Sequence, residues 1–130
     1  VKRKEVLVCD DDVLVQKMLK IILERDGFLV IQAFDGGASQ LALKRQRFDA
    51  VIMDLHMPFV SGMELIGFMR QKLALKEPVI VLSALNDVHL REQAIEQGAN
   101  HFLQKPVNPD VLIELLRQLT LGSSGISEND

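Results

Sequence analysis

Short apolar runs alternate with longer mixed stretches along the whole chain. The runs occupy residues 6–9, 29–33, 50–53, 79–82 and 101–103. Most are continuous and rich in β-branched residues, the pattern of strands covered on both faces. Between them, apolar residues recur at helical spacing. Leu14, Met18 and Ile22, with Val15, Leu19 and Leu23 beside them, predict a first helix stopped by Gly27. Ala38, Leu41 and Ala42 mark a second helix, and Leu65, Ile66, Met69 and Leu73 a third. Leu90, Ala94 and Ile95 mark a fourth, ending at Gly98. Val111, Leu112, Leu115, Leu116 and Leu119 mark a fifth, opened by Asn108 as cap and Pro109 in the first turn.

Strand and helix therefore alternate as (βα)5. Parallel strands joined through helices need right-handed crossovers, which predicts a doubly wound α/β fold: a five-stranded parallel sheet with helices on both faces. Ligands of such sheets bind at the carboxyl ends of the strands, near the point where strand order reverses. The 130 residues fit one domain, expected over residues 1–121, and are enough for a core without staples. The stretch GSSGISEND, residues 122–130, reads as a flexible polar tail or the start of a linker.

Charge and composition narrow the partners. The net charge of −3 gives no support for direct nucleic-acid binding, which favours a basic surface. No apolar run approaches the roughly 20 residues of a membrane span. Cys9 is the single cysteine, so no intramolecular disulfide can form and a reducing, cytoplasmic setting fits.

The chemistry gathers at the strand ends. In VLVCDDDVL the first apolar run meets Asp10, Asp11 and Asp12. Asp54 ends the third run, Ser83 and Ala84 follow the fourth, and Lys105 and Pro106 follow the fifth. A parallel sheet aims all of these at one rim. Two carboxylates about 5 Å apart at an effective dielectric near 20 repel by roughly 3 kcal/mol, so such a rim invites a cation. Oxygen ligands without a His/Cys cluster suit Mg²⁺ rather than zinc. A metal beside Asp54, with Lys105 and Ser83 to hold an incoming anion, suits phosphoryl transfer to the Asp54 carboxylate.

These residues resemble the receiver domain of two-component response regulators, the CheY-like superfamily. The matching features are the acidic pair, MDLHMPFVSGMEL around Asp54, LSA after the fourth strand and FLQKP at the fifth. The resemblance implies a flavodoxin-like sheet in the order 2-1-3-4-5. It implies that Asp54 is the phospho-acceptor and that Asp10, Asp11, Asp54 and the backbone carbonyl of His56 hold Mg²⁺. Ser83 takes the place of the hydroxyl that contacts the phosphoryl group, and Lys105 that of the family's lysine, with a cis bond to Pro106. Phe102 stands where the family carries a switching aromatic, and Gly62 matches the glycine of the loop after the acceptor. The implied phosphodonor is a histidine kinase or a histidine phosphotransfer protein. The implied target is an output domain or a downstream protein, or a homodimer formed on phosphorylation. The residues 89–119 lack the charged dimer contacts associated with winged-helix transcription regulators, which favours another output architecture.

Plainer readings apply to several residues. Asp12 reads as a helix cap, Asp35 and Asp49 as turn residues, and Cys9 as a small buried strand residue. The His56 imidazole, His89 and His101 read as surface groups. Two other functions compete. Asp10-Asp11-Asp12-Val13 also fits the DxDx[TV] pattern of haloacid-dehalogenase-like phosphatases, with Asp10 as nucleophile, but that leaves Asp54 and its loop unexplained. A phosphorylation-independent interaction module on the same fold is the other.

Overall fold

The computed structural model describes residues 2–121. Its elements follow in the order β1 (Glu5–Cys9), α1 (Val13–Arg25), β2 (Leu29–Ala33), α2 (Gly36–Arg45), β3 (Ala50–Asp54), α3 (Gly62–Gly67), β4 (Val79–Ser83), α4 (Val88–Gln97), β5 (His101–Gln104) and α5 (Pro109–Thr120). The five runs read as strands are the five strands, and β1, β3, β4 and β5 each gain one residue at an end. α3 continues into a π-helical turn over Phe68–Lys72. The expected tail at residues 122–130 lies outside the described residues.

All four strand pairings are parallel, and the sheet order is β2-β1-β3-β4-β5, as the resemblance implied. β1 is flanked by β2 on one side and β3 on the other, so strand order reverses there. Every residue of the central strands β3 and β4 is buried, which is why both read as unbroken apolar runs. Two cores result. One face of the sheet joins Leu7, Val51, Met53 and Val81 to Leu65, Ile66 and Met69 of the α3 segment. The other joins Val6, Val8, Ile52 and Ile80 to Leu19 and Leu23 of α1 and Leu112 and Leu116 of α5. Leu112 and Leu116 are fully buried, each worth roughly 1.5–3 kcal/mol by removal from water.

The helix stops behave as read. Gly27 and Gly98 take φ of 96° and 125°, which side chains disfavour. Asn108 accepts from the Asp110 and Val111 amides, with Pro109 opening α5. Asp12 caps α1 as read, whereas Asp35, read as a turn residue, is the N-cap of α2, its carboxylate accepting from the Ala38 amide. The faces are less well read. α1 buries Gln16, Leu19 and Leu23, whereas Leu14 and Met18 are exposed. Residues 14 and 16 lie about 200° apart around a helix, so one sheet face cannot cover both. α2 likewise buries Ser39 and Leu43 and leaves Leu41 exposed. Among the described residues, no helix is long and apolar enough to cross a membrane.

Cys9 is fully buried in β1, and burial is the main reason its thiol is pushed up to about 12, with Asp10 adding to the effect and Ser39 opposing it. The thiolate is the reactive form. Cys9 should therefore resist alkylation by iodoacetamide at neutral pH and react only as the chain unfolds in urea. Labelling of the folded protein at the rate of a free thiol would contradict this burial.

Candidate metal and phospho-acceptor site

β1 and β3 are neighbours at the point where strand order reverses, and their ends bring the acids together. Asp10 and Asp11 follow β1, and Asp54 is the last residue of β3. One carboxylate oxygen from each of the three lies within 4.8 Å of the others. Asp10 and Asp54 are buried, while Asp11 faces solvent. Asp12 stays out of this group because its carboxylate accepts from the Leu14 and Val15 amides at 2.9 and 3.2 Å.

Lys105 comes from the far edge of the sheet, directly after β5. Its Nζ lies 2.9 Å from Asp10 Oδ2 and 3.6 Å from Asp54 Oδ2. The Lys105 N–H donates to the Ser83 carbonyl at 2.8 Å, which ties this lysine to the end of β4. The Lys105–Pro106 peptide is cis, as the resemblance implied. Desolvation acts to lower the Lys105 pKa, but the bond to Asp10 and the Asp54 charge outweigh it and raise it above 10.5. For Asp54 burial dominates. Its carboxyl is raised above 3.8 by desolvation and by Asp10, against the Lys105 ammonium and the His56 backbone N–H.

The donor set suits a small hard divalent cation. Three carboxylates against one ammonium leave two negative charges uncompensated at the site. All candidate ligands are oxygens, the preference of Mg²⁺ rather than zinc.

Ser83 ends β4 on the same rim and is buried; its Oγ accepts from the Leu85 N–H at 3.1 Å. Phe102 lies in β5 opposite Val81 of β4, and shares with it the core on the α3 side of the sheet. Its ring is buried, with the Arg91 guanidinium 5.8 Å from its centroid. The His56 side chain is exposed, as are those of His89 and His101.

The loop from β3 to α3 is held from below. The Gly62 N–H donates to the Leu55 carbonyl at 2.9 Å, and Ser61 and Glu64 form a reciprocal cap on α3. A side chain on Gly62 would meet the Asp54 carbonyl oxygen at 2.4 Å, so glycine is required there by space. Phe59, at the tip of this loop, is 95% exposed and takes a φ of 70°.

Sequence reading missed Gln16. It is buried on the sheet-facing stripe of α1, directly behind the acidic pair. Its signal was a lone polar residue at helical spacing with Leu19 and Leu23.

Comparison with known proteins points to one family and one fold. The response regulator receiver domain model matches residues 6–117. The transcriptional regulatory protein KdpE of Mycobacterium tuberculosis is 35% identical over 123 residues, 95% of this chain and 54% of that protein. Response regulator GtcR of Aneurinibacillus migulanus is 34% identical over 82% of this chain and 43% of its own length. The chain thus spans about half the length of these curated relatives. Among solved structures, the Francisella response regulator 1452 receiver domain superposes with a TM-score of 0.88 at 30% identity, covering 94% of this chain and 100% of that one. The receiver domain of sensor histidine kinase PA1611 from Pseudomonas aeruginosa PAO1, with a magnesium ion coordinated in its active site cleft, gives 0.82 at 27% identity, covering 92% and 98%.

Proposed function

The chain belongs to the response regulator receiver domain family, a module of two-component signalling, and on that premise we propose that it is a phospho-accepting switch with Asp54 as acceptor. The observation that carries this is the position of the Lys105 ammonium, 2.9 Å from Asp10 and 3.6 Å from Asp54, beside three converging carboxylates. The haloacid-dehalogenase reading leaves that arrangement, and the family membership, without a role.

In the proposed reaction an Asp54 carboxylate oxygen attacks the phosphorus of a phosphohistidine on a histidine kinase or phosphotransfer protein. A P–O bond forms and the P–N bond breaks. Its electron pair returns to the imidazole, which leaves after taking up a proton. Asp10, Asp11, Asp54 and the His56 carbonyl would hold Mg²⁺, which would neutralise charge on the phosphoryl oxygens. Lys105 pairs with one of those oxygens. The Ser83 hydroxyl, accepting from Leu85 N–H, retains its own proton to donate to another. Water attack on phosphorus later releases inorganic phosphate and restores the carboxylate.

Drawing Ser83 and Lys105 onto the phosphoryl group biases the β4–α4 loop and the α4–β5–α5 face between two arrangements, with Phe102 as the switching aromatic. That face controls an output domain or downstream protein, or a homodimer formed on phosphorylation. An apolar cleft bordering Lys105, lined by Leu14, Met18, Pro106 and Val107, favours docking of the donor protein on this side. The receiver is assigned to residues 1–121 and to the cytoplasm, where such donors act. It makes no direct contact with nucleic acid or membrane.

The test is intact mass after incubation with Mg²⁺ and acetyl phosphate. One phosphoryl adduct is expected that needs Mg²⁺, is removed by hydroxylamine and is absent in Asp54→Ala. An adduct kept in Asp54→Ala but lost in Asp10→Ala would transfer the acceptor role to Asp10. No adduct from small donors or from kinases would leave a phosphorylation-independent module.

A further inference from the structure

Behind the acidic pair, Gln16 makes contacts that the phosphoryl chemistry does not call for. Its side chain is 1% exposed. Its Nε2 lies 3.0 Å from the Val8 carbonyl, 3.1 Å from the Asp10 carbonyl and 2.8 Å from the Ala33 carbonyl. Three carbonyls around one nitrogen settle the orientation of the amide. Turned over, Oε1 would face three other acceptors. In the settled orientation Oε1 is buried with no partner. A buried acceptor without a donor is unfavourable, and a methionine or leucine would fill this stripe of α1 without one.

The three acceptors explain why a donor stands here. The Asp10 N–H donates to the Ala33 carbonyl at 3.1 Å, and the Asp10 carbonyl accepts from Gln16. The main chain of Asp10 is thereby held on both sides. Its carboxylate is held as well, by the Asp12 N–H at 2.9 Å and by Lys105. The carbonyl that Gln16 grips belongs to the peptide joining Asp10 to Asp11. The plane of that peptide determines how the Asp11 side chain leaves the backbone. Asp11 is exposed, so the packing around it does little to aim it and the position of its backbone matters the more. Gln16 is itself tied down, since Gln32 Nε2 donates to its carbonyl at 3.3 Å. The carboxamide nitrogen has two N–H bonds, which the three carbonyls share; a lysine or arginine would supply more donors but would add positive charge beneath the acids. The carboxamide supplies donors and leaves the site's negative charge undiminished.

We infer that Gln16 is a positioning residue for the metal site: it fixes the Asp10–Asp11 peptide so that the Asp11 carboxylate converges with those of Asp10 and Asp54. This inference rests on the Mg²⁺ reading of the acidic group. It concerns affinity for the ion, independent of phosphoryl transfer.

The test is calorimetric titration of the full chain with MgCl₂, alongside urea unfolding without the metal. Gln16→Met keeps the volume and removes the donors. It should weaken Mg²⁺ binding by about tenfold, the usual effect of losing a partner that orients a metal ligand. Leu19→Ala, one turn further along the same buried stripe, should lower the unfolding midpoint and leave the Mg²⁺ affinity at the wild-type value. If Gln16→Met does not fold, Gln16→Asn keeps a carboxamide one methylene short and should weaken binding in the same direction. Wild-type affinity in a folded Gln16 variant would overturn the inference and leave Gln16 a structural clamp. Loss of affinity in Leu19→Ala equal to that in Gln16→Met would overturn it too, by making affinity follow stability. A wild-type chain that takes up no Mg²⁺ would instead sink the metal reading on which the inference stands.

Discussion

Lys105→Met should slow phosphorylation of Asp54 by about 100-fold, the usual scale for removing one preorganised group from a developing anion. It should also destabilise the metal-free protein by about 2 kcal/mol, because a buried carboxylate that loses its charge partner keeps its desolvation penalty. Asp10 is the residue left exposed to this loss, being 2% accessible and bonded to Lys105 at 2.9 Å. Some compensation remains, since Asp10 still accepts from the Asp12 N–H. The pair can be separated by a second change. Lys105→Met combined with Asp10→Asn should recover part of the stability, because Asp10 is no longer a stranded charge and Asp54 alone stays buried without its cation, while labelling by acetyl phosphate stays low. Unchanged labelling in Lys105→Met would remove this lysine from the mechanism.

The same cluster makes metal-free stability depend on pH in a definite sense. Burial, helped by Asp10, raises the folded-state Asp54 pKa above 3.8 against the pull of Lys105. The folded chain therefore holds this proton more tightly than the unfolded chain does. Its contribution to stability is complete below the unfolded value and is lost as pH rises through the folded one. Urea midpoints without Mg²⁺ should show that decline in wild type and lose it in Asp54→Asn. Lys105 has its pKa raised above 10.5, so its contribution persists to alkaline pH and is lost only as pH climbs through that higher value.

Gly62→Ala should cost about 3 kcal/mol, at the upper end of the penalty for forcing extra atoms into a packed site. A Cβ there would sit 2.4 Å from the Asp54 carbonyl oxygen and 2.7 Å from the Leu55 Cα. Both are main-chain atoms, with no side-chain end to swing aside. Relief requires the chain at the end of β3 to shift, and that chain carries Asp54, the proposed acceptor. Labelling of Asp54 should fall together with stability. Gly37→Ala is the matched control. Its Cβ would meet only the Asp35 side chain, at 3.5 Å, within the first turn of α2. Alanine is the better helix former by roughly 0.5–1 kcal/mol, so this variant should be neutral or slightly stabilised. Equal urea midpoints for Gly62→Ala and wild type would show that the loop has room the contacts deny.

The elements were legible because burial leaves a local periodic trace. β3 and β4 lie between two layers of helix, so every position is apolar and the runs stand out. Helix ends were legible for a similar reason: Gly98 takes a positive φ, and Asn108 caps while Pro109 has no N–H to waste. The candidate site was legible because a parallel sheet sends every strand end to one rim, and the charged residues stood at those ends.

Other features were decided only by the fold. α1 carries two apolar stripes of similar strength, and the sheet covers the one with Leu19 and Leu23, leaving Leu14 and Met18 exposed. Periodicity reports that a face is apolar, and says nothing about which face meets a partner. Gln16 stood out only as a lone polar residue in the stripe of Leu19 and Leu23, and its role was hidden for the complementary reason: its three acceptors come from β1, the turn after it and β2, and no local pattern announces them. The ion pair of Lys105 with Asp10 joins residues 95 positions apart. Sequence alone determined which groups reach the rim. Strand order and the tight packing of the loops determined which of them touch, because contact distance depends on neighbours in space that the chain does not bring together until it folds.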